Sequence, residues 1–276
     1  MVGIAVSVPL VSPSEWWPLW LAVSLLVAIS FVDDLVGLPI LGRLLVHFVA
    51  AGGLVYGLLV SQLGNGAAAL AILAIVWMIN LFNFMDGMDG LAGGMAIFGF
   101  GFLAIGAWLS GNGPIALVNA SIAAAAGGFL LFNFPPARIF LGDTGSTALG
   151  FLAAGLGLIG WRDGTWSLWF PVLIFSPFIV DATVTLVRRG VQRERLWQAH
   201  RAHYYQRLVL SGWGHRKTVL AEYGLMVLCG ILAWTYHMAT DSARLAILLL
   251  WGLLMGSVML AVRVAERTAA RLKSHG

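Results

Sequence analysis

Apolar residues run through this chain in long blocks rather than alternating with polar ones. The blocks fall at about 16–33, 41–60, 67–83, 94–110, 115–132, 146–161, 168–187, 218–238 and 245–263. Roughly 20 apolar residues are needed to cross a bilayer as a helix. A backbone in lipid must satisfy its own hydrogen bonds, so the blocks predict helices. The expected fold is all-α, a polytopic transmembrane bundle of about nine spans forming a single domain over residues 1–276. Residues before Trp16 read as the tail of a further, partial span, and they lack the basic start of a signal peptide. Trp16, Trp17, Trp20, Trp161, Trp166 and Trp169 cluster near block ends, as an aromatic belt does.

Composition agrees with this reading. Of 276 residues, 60% are hydrophobic and only 10% charged, against ~25% charged in soluble domains. The single cysteine, Cys229, lies in an apolar block and reads as a small buried hydrophobe.

Charge sets the orientation. If the first clear span ends inward at Asp33, fourteen of the sixteen Lys and Arg fall on one side, leaving Arg162 and Arg244 on the other. The positive-inside rule makes the first side cytoplasmic. Asp33, Asp34, Asp86, Asp89 and Asp143 fall on that side, from three separate segments, whereas Glu15, Asp163 and Asp241 fall on the opposite one. Five carboxylates at one membrane edge repel one another and call for a cation.

Four segments carry candidate chemistry. Asp33-Asp34 ends an apolar helix, where the dipole disfavours acids. That is either an interfacial stop or a pair that handles a metal or a proton. In Asn83-Phe-Met-Asp86-Gly87-Met-Asp89-Gly90-Leu91 two aspartates share a helical face among glycines that admit a close ligand. The spacing excludes a calcium EF-hand. Asn133-Phe-Pro135-Pro136-Ala-Arg138-Ile-Phe140-Leu-Gly142-Asp143-Thr-Gly-Ser146 ends one helix at its prolines and opens the next at Asp143. Asp143 is a helix cap, or it opens a helix start at Thr144, Gly145 and Ser146 whose free N–H groups bind an anion. The basic loop from Arg188 to Lys217 contains Trp197-Gln-Ala-His200-Arg201-Ala-His203. Such a loop often only sets topology or touches anionic lipid, but His200, Arg201 and His203 can hold phosphate oxygens. No cysteine or third histidine stands close enough to favour zinc. Asp181 is either a helix–helix partner or a site residue near the inner edge.

In this order the four segments resemble the polyprenyl-phosphate N-acetylhexosamine-1-phosphate transferases, glycosyltransferase family 4. The resemblance covers residues from about 16 to 217. It implies transfer of N-acetylhexosamine 1-phosphate from a UDP-N-acetylhexosamine to undecaprenyl phosphate, with magnesium (manganese as the alternative) and release of UMP. By resemblance Asp143 is the metal ligand, and Asp33 and Asp34 lie beside the lipid phosphate. Asp86 and Asp89 complete the catalytic charge balance and, with Asn83, hold the nucleotide. Asn133 and Phe140 contact the uracil, and His200, Arg201 and His203 hold the diphosphate or sugar. The histidine loop is most similar to the branch that starts O-antigen and similar surface polysaccharides, with the peptidoglycan branch second. The implied setting is a bacterial inner membrane, with membrane lipid and no nucleic acid as partner, and with a homodimer left open. Family members carry about two more N-terminal spans and a basic loop that nothing here matches, so the chain is expected to be N-terminally truncated. Two readings from other classes compete: an intramembrane aspartyl protease, from Leu141-Gly-Asp143-Thr-Gly, and a transporter.

Overall fold

A computed structural model describes residues 12–195 and 200–274. The partial span before Ser12 and the Trp197-Gln-Ala stretch lie outside the described residues. Helix α1, Trp17–Val36, starts with Pro18 in its first turn, where no N–H is missed. Gly37 ends it in the left-handed conformation at φ 68°. Helix α2, Ile40–Leu54, continues through a wide turn at Val55–Leu59 into α3, Val60–Met85. This run of 46 residues is too long for one crossing. Gly64 breaks it at φ 67°, ψ 167°, a conformation that glycine adopts without cost. Asn80 Nδ2 lies 3.5 Å from His47 Nδ1 across the pair, and these residues stand 16 and 17 positions from Gly64. The run is therefore a hairpin of two antiparallel helices, as the separate blocks 41–60 and 67–83 require.

Next come α4, Leu91–Leu109, and α5, Gly113–Asn133, which pack as a second hairpin. Helix α6, Gly142–Arg162, is the central element, with most of its length buried. It crosses α3 so closely that a Cβ on Gly150 would sit 2.5 Å from the carbonyl oxygen of Met78. Only glycine fits there, and the crossing fixes α6 against α3. Short α7, Trp169–Ile174, and α8, Ser176–Val191, follow. They share one apolar block, but Pro177 cannot continue the ladder. The chain breaks at Phe175, and Ser176 Oγ donates to the freed carbonyl of Leu173 at 2.7 Å. The expected span 168–187 is thus a broken one. Helix α9, Tyr204–Leu208, precedes a turn at Gly212 and Gly214, then α10, Gly214–Met238, and α11, Asp241–Ser274.

Seven helical runs among the described residues are long and apolar enough to cross a membrane. One of them is the α2–α3 hairpin, and α7–α8 adds a broken crossing, which accounts for all nine expected spans. Large apolar side chains such as Leu21, Leu131 and Leu253 stand exposed on the outer faces, the surface a bilayer would cover. The bundle has two distinct ends. At one, Arg162 bonds to Glu15 and Asn112 to Thr165. At the other, Asp34 meets Thr144 and Tyr205 meets Phe84.

Candidate functional site

The second end opens on a cavity of about 770 Å³, walled by α1, α2, α3, α6, α8 and the segment before α9. Asp33, Asn83, Asp143, His200 and His203 line it, bringing together five of the residues singled out in the sequence. Asp33 sits in the last turn of α1. Its Oδ1 accepts the N–H of Leu38 at 2.6 Å, which holds the carboxylate still at an otherwise unfavourable helix end. Asp143 sits in the first turn of α6, where acids are favoured. Between them lies Arg43 of α2. One nitrogen, Nη1, donates to Asp33 Oδ2 at 2.8 Å and to Asp143 Oδ2 at 2.9 Å. Asp34 reaches the same helix start by accepting from Thr144 Oγ1 at 2.9 Å.

The cation expected to offset these acids is thus partly built into the chain. Sequence reasoning used Arg43 only as a topology charge. It missed His47 and gave no role to Asn80, which precedes the Asn83–Leu91 segment; both line the same cavity.

The Asn83–Leu91 and Asn133–Ser146 segments are stitched together. Asn133 is buried; its Oδ1 accepts the N–H of Gly90 at 2.9 Å and its Nδ2 donates to Ile139 O at 2.8 Å. Both ends of its amide are committed, so it acts as a strut between the loops. Asp89 Oδ2 accepts the N–H of Ala137 at 3.1 Å and lies 3.4 Å from His215 Nδ1. Asp89 therefore faces the loop and α10 rather than the cavity. Two tyrosines clamp the loop from outside: Tyr223 donates to Gly90 O at 2.7 Å, and Tyr205 to Phe84 O at 3.3 Å. Phe140 stands 77% exposed on its loop, free to stack on a planar ligand. Arg201 is exposed and does not line the cavity.

Asp86 follows the end of α3 and is half-buried. Burial, then the nearby charge of Asp143, raises its pKa to about 7. His200 is held down at about 4, by burial first and then by His203 and Arg189. His200 is therefore neutral at pH 7. Its Nδ1 accepts the N–H of Ala202 at 3.3 Å, so its own proton sits on Nε2.

The donor set suits magnesium. Two hard carboxylates, Asp33 and Asp143, converge on one point already occupied by a cationic group. Magnesium typically takes one or two carboxylates and completes its shell with water and substrate phosphates. Among the described residues, no three His, Cys, Asp or Glu side chains come together as a metal cage.

The model of the family described as glycosyl transferase family 4 matches residues 16–160. A probable undecaprenyl-phosphate N-acetylglucosaminyl 1-phosphate transferase of Bacillus subtilis is 34% identical over 151 residues, 54% of this chain and 42% of that one. A phospho-N-acetylmuramoyl-pentapeptide-transferase of Halalkalibacterium halodurans is 31% identical over 146 residues, 51% of this chain and 42% of that one. Another protein of that name, from Synechococcus sp. strain JA-3-3Ab, is 34% identical over 253 residues, 81% of this chain and 73% of its own. The chain thus spans about two fifths of the length of the first two relatives.

Proposed function

This chain belongs to glycosyl transferase family 4, and from that premise we propose that it moves a sugar 1-phosphate from a UDP-N-acetylhexosamine to undecaprenyl phosphate. An oxygen of the lipid phosphate attacks the phosphorus that bears the sugar. The bond from that phosphorus to the oxygen shared with the uridine phosphate breaks. UMP leaves with the electron pair, and a lipid-linked sugar diphosphate remains.

One observation carries the reading: the carboxylates of Asp33 and Asp143, from helices 110 positions apart, meet on one Arg43 nitrogen at the mouth of a large cavity. Phosphoryl transfer is chiefly positioning and charge neutralisation. Magnesium, when bound by Asp143 and Asp33, supplies the neutralisation that brings two phosphate groups together. Arg43 neutralises charge beside it and donates to phosphate oxygens once these displace the carboxylates. Asp34 stands next to the acceptor and takes its proton if the lipid phosphate arrives protonated. His200 and His203 line the far wall and bind the donor's phosphate or sugar. Phe140 offers an exposed ring to the uracil. The apolar wall of the cavity, including Leu44 and Trp77, suits the first isoprene units of the acceptor. We place this end on the cytoplasmic side of a bacterial plasma membrane, because fourteen of the sixteen basic residues lie there.

The donor is proposed to be an unsubstituted UDP-N-acetylhexosamine of a surface-polysaccharide pathway, a reading the Bacillus relative's printed name supports. The match to the Synechococcus relative, covering 81% of this chain, favours the peptidoglycan donor as the second reading. The protease reading fits poorly. A guanidinium lies between Asp33 and Asp143, whereas a protease dyad shares one proton between two carboxyls.

Membranes carrying the chain, given undecaprenyl phosphate and magnesium, should release UMP from UDP-N-acetylglucosamine well above an Asp143→Asn control. Release only from UDP-N-acetylmuramoyl-pentapeptide would support the second branch. No release from either donor would overturn the proposal.

A further inference from the structure

We propose that Asp181 is a positioning residue that fixes the ring of His203 at the cavity wall. What His203 then holds, a phosphate oxygen or sugar hydroxyl of a nucleoside diphosphate sugar, rests on the transferase reading. How His203 is held does not.

Asp181 lies on α8, nearly three turns before its end, and is 8% exposed. An acid in a crossing segment is costly unless fully partnered. Asp181 is fully partnered. Its Oδ1 accepts from Thr185 Oγ1 at 3.1 Å and from the N–H of Tyr204 at 2.9 Å. Its Oδ2 accepts the N–H of Tyr205 at 3.2 Å. His203 Nδ1 approaches Oδ1 at 3.2 Å. Three of these four partners come from consecutive residues 203–205, more than 20 positions away in the chain.

The carboxylate has two separable roles here. Accepting two backbone N–H groups at the start of α9 is ordinary capping. Accepting from the imidazole is not needed for a cap. The His203 side chain also faces the Gln206 N–H at the start of α9, but an ionised carboxylate only accepts, so the bond to Asp181 requires the proton on Nδ1. The other ring nitrogen, Nε2, is then the one free for a ligand. Packing fixes the ring plane as well. It lies nearly parallel to Tyr205 at 5.9 Å and to Phe84 at 6.3 Å between centroids. His200 sits 4.9 Å away and also lines the cavity, with its proton on the opposite nitrogen. The wall therefore presents a fixed donor, His200 Nε2–H, beside a fixed acceptor, His203 Nε2. A nucleoside diphosphate sugar carries acceptors on its phosphates and donors on its sugar hydroxyls, and this pair matches both.

The test has two arms on the full chain in nanodiscs. In the first, ¹⁵N-histidine spectra are recorded at alkaline pH, with the His203 signals identified by their loss in His203→Asn. The wild type should show His203 with its proton on Nδ1. Asp181→Asn should give mixed tautomers, Asp181→Glu should keep the Nδ1–H form, and Thr185→Val should leave it unchanged. A wild-type His203 protonated on Nε2 overturns the proposal even if Asp181→Asn does not fold. In the second arm, Asp181→Asn should raise KM for the UDP-sugar about tenfold, with a smaller change in kcat and most of the loss restored by Asp181→Glu; outer partners of a functional histidine commonly carry ~10–100-fold effects. Asp181→Asn with His203→Asn should be no worse than His203→Asn alone. Additive losses would reduce Asp181 to a helix cap and overturn the proposal. If no donor is turned over by the wild type, the transferase reading fails, while the tautomer result still decides the pair.

Discussion

Each end of the bundle carries one ion-pair cluster of the same make-up, one arginine between two carboxylates, arranged in opposite senses. At the Arg162 end, the outer one on the orientation proposed above, Arg162 is 10% exposed, and its partners Glu15 and Asp163 are 63% and 26% exposed. The cation is buried and uses two different nitrogens, Nη2 and Nε. At the inner end Arg43 is 34% exposed, while Asp33 is buried at 8%. One nitrogen is shared by both acids, and the rest of the guanidinium stays open to the cavity. The outer set is closed: its acids neutralise a cation that cannot leave. The inner set is open: Asp33 is held by the Leu38 N–H, while Arg43 and Asp143 are 34% and 35% exposed and line the cavity. Equal stoichiometry therefore does not mean equal role. What separates a brace from a binding site is which partner is free to exchange.

Asp143→Asn should have the largest effect. Removing one group that neutralises transition-state charge costs ~10²–10³-fold, and the loss of a metal ligand belongs at the upper end. Transfer should fall about 10³-fold, read as UMP release. At the outer end Asp163→Asn should leave the rate within about twofold. Arg43→Ala should follow, with a loss of about 10²-fold. Arg43→Lys should recover much of it, because only one nitrogen is shared and an ammonium supplies one as well as a fork does. If Lys proves no better than Ala, Arg43 is needed as a fork on the substrate rather than as a charge between carboxylates.

Much of this end was legible in the sequence, for a physical reason. Asp33-Asp34, Asp86 and Asp143 announce themselves because acids bordering apolar blocks are costly and local. Arg43 does not, because its meaning comes from partners 10 and 100 positions away. Alone it is one basic residue at a membrane edge, as most are. Asn133 was singled out by resemblance as a base contact but was illegible as a strut, since nothing local shows that Gly90 and Ile139 take both ends of its amide. His215 was equally hidden beside Arg216 and Lys217, and only the return of α10 brings it to Asp89. In the fold, the nine blocks were legible from hydropathy alone. The break at Phe175 was not, because apolarity runs through it unchanged; Pro177 is the one local residue that marks it.

A pH measurement bears on the inner end alone. With its pKa raised to about 7 by burial and by Asp143, Asp86 keeps its proton in the folded protein where the unfolded chain has lost it. Between pH ~4 and ~7 the native state binds the extra proton on Asp86, so the contribution of Asp86 to stability is greatest below that window and declines as pH rises through it, while His200, held down by burial, contributes with the opposite sign. The slope is at most ~1.4 kcal/mol per pH unit, less where solvent reaches the group. Asp86→Asn should flatten it in metal-free protein, measured by thermal unfolding in detergent. A slope that survives the substitution assigns the crowding to another acid. Gly87→Ala should come next in size. Its Cβ would lie 2.3 Å from the Tyr205 hydroxyl, an overlap that costs ~1–3 kcal/mol. Adding Tyr205→Phe removes the colliding oxygen, so the double variant should regain most of that loss. Strictly additive losses would show that the loop does not rest on the tyrosine.

The smallest effect is expected at the outer brace, and it tests the comparison most directly. Arg162→Ala removes a guanidinium paired with an exposed Glu15 and a partly exposed Asp163, and pairs that water reaches contribute ~0–1 kcal/mol. The aliphatic stem adds a little packing, so the loss should be about 1 kcal/mol. Glu15→Gln should cost less still, since Asp163 at 2.6 Å remains to neutralise the arginine. Neither change touches the cavity, and UMP release should stay within about twofold of wild type for both. The inner counterpart, Arg43→Ala, should do the reverse, cutting the rate severely while lowering the unfolding temperature little. If Arg162→Ala slows transfer as much as Arg43→Ala does, the two ends are coupled through α6, which carries Asp143 at one end and Arg162 at the other. The outer arginine would then set the position of the inner acid, and the division between brace and site would fail.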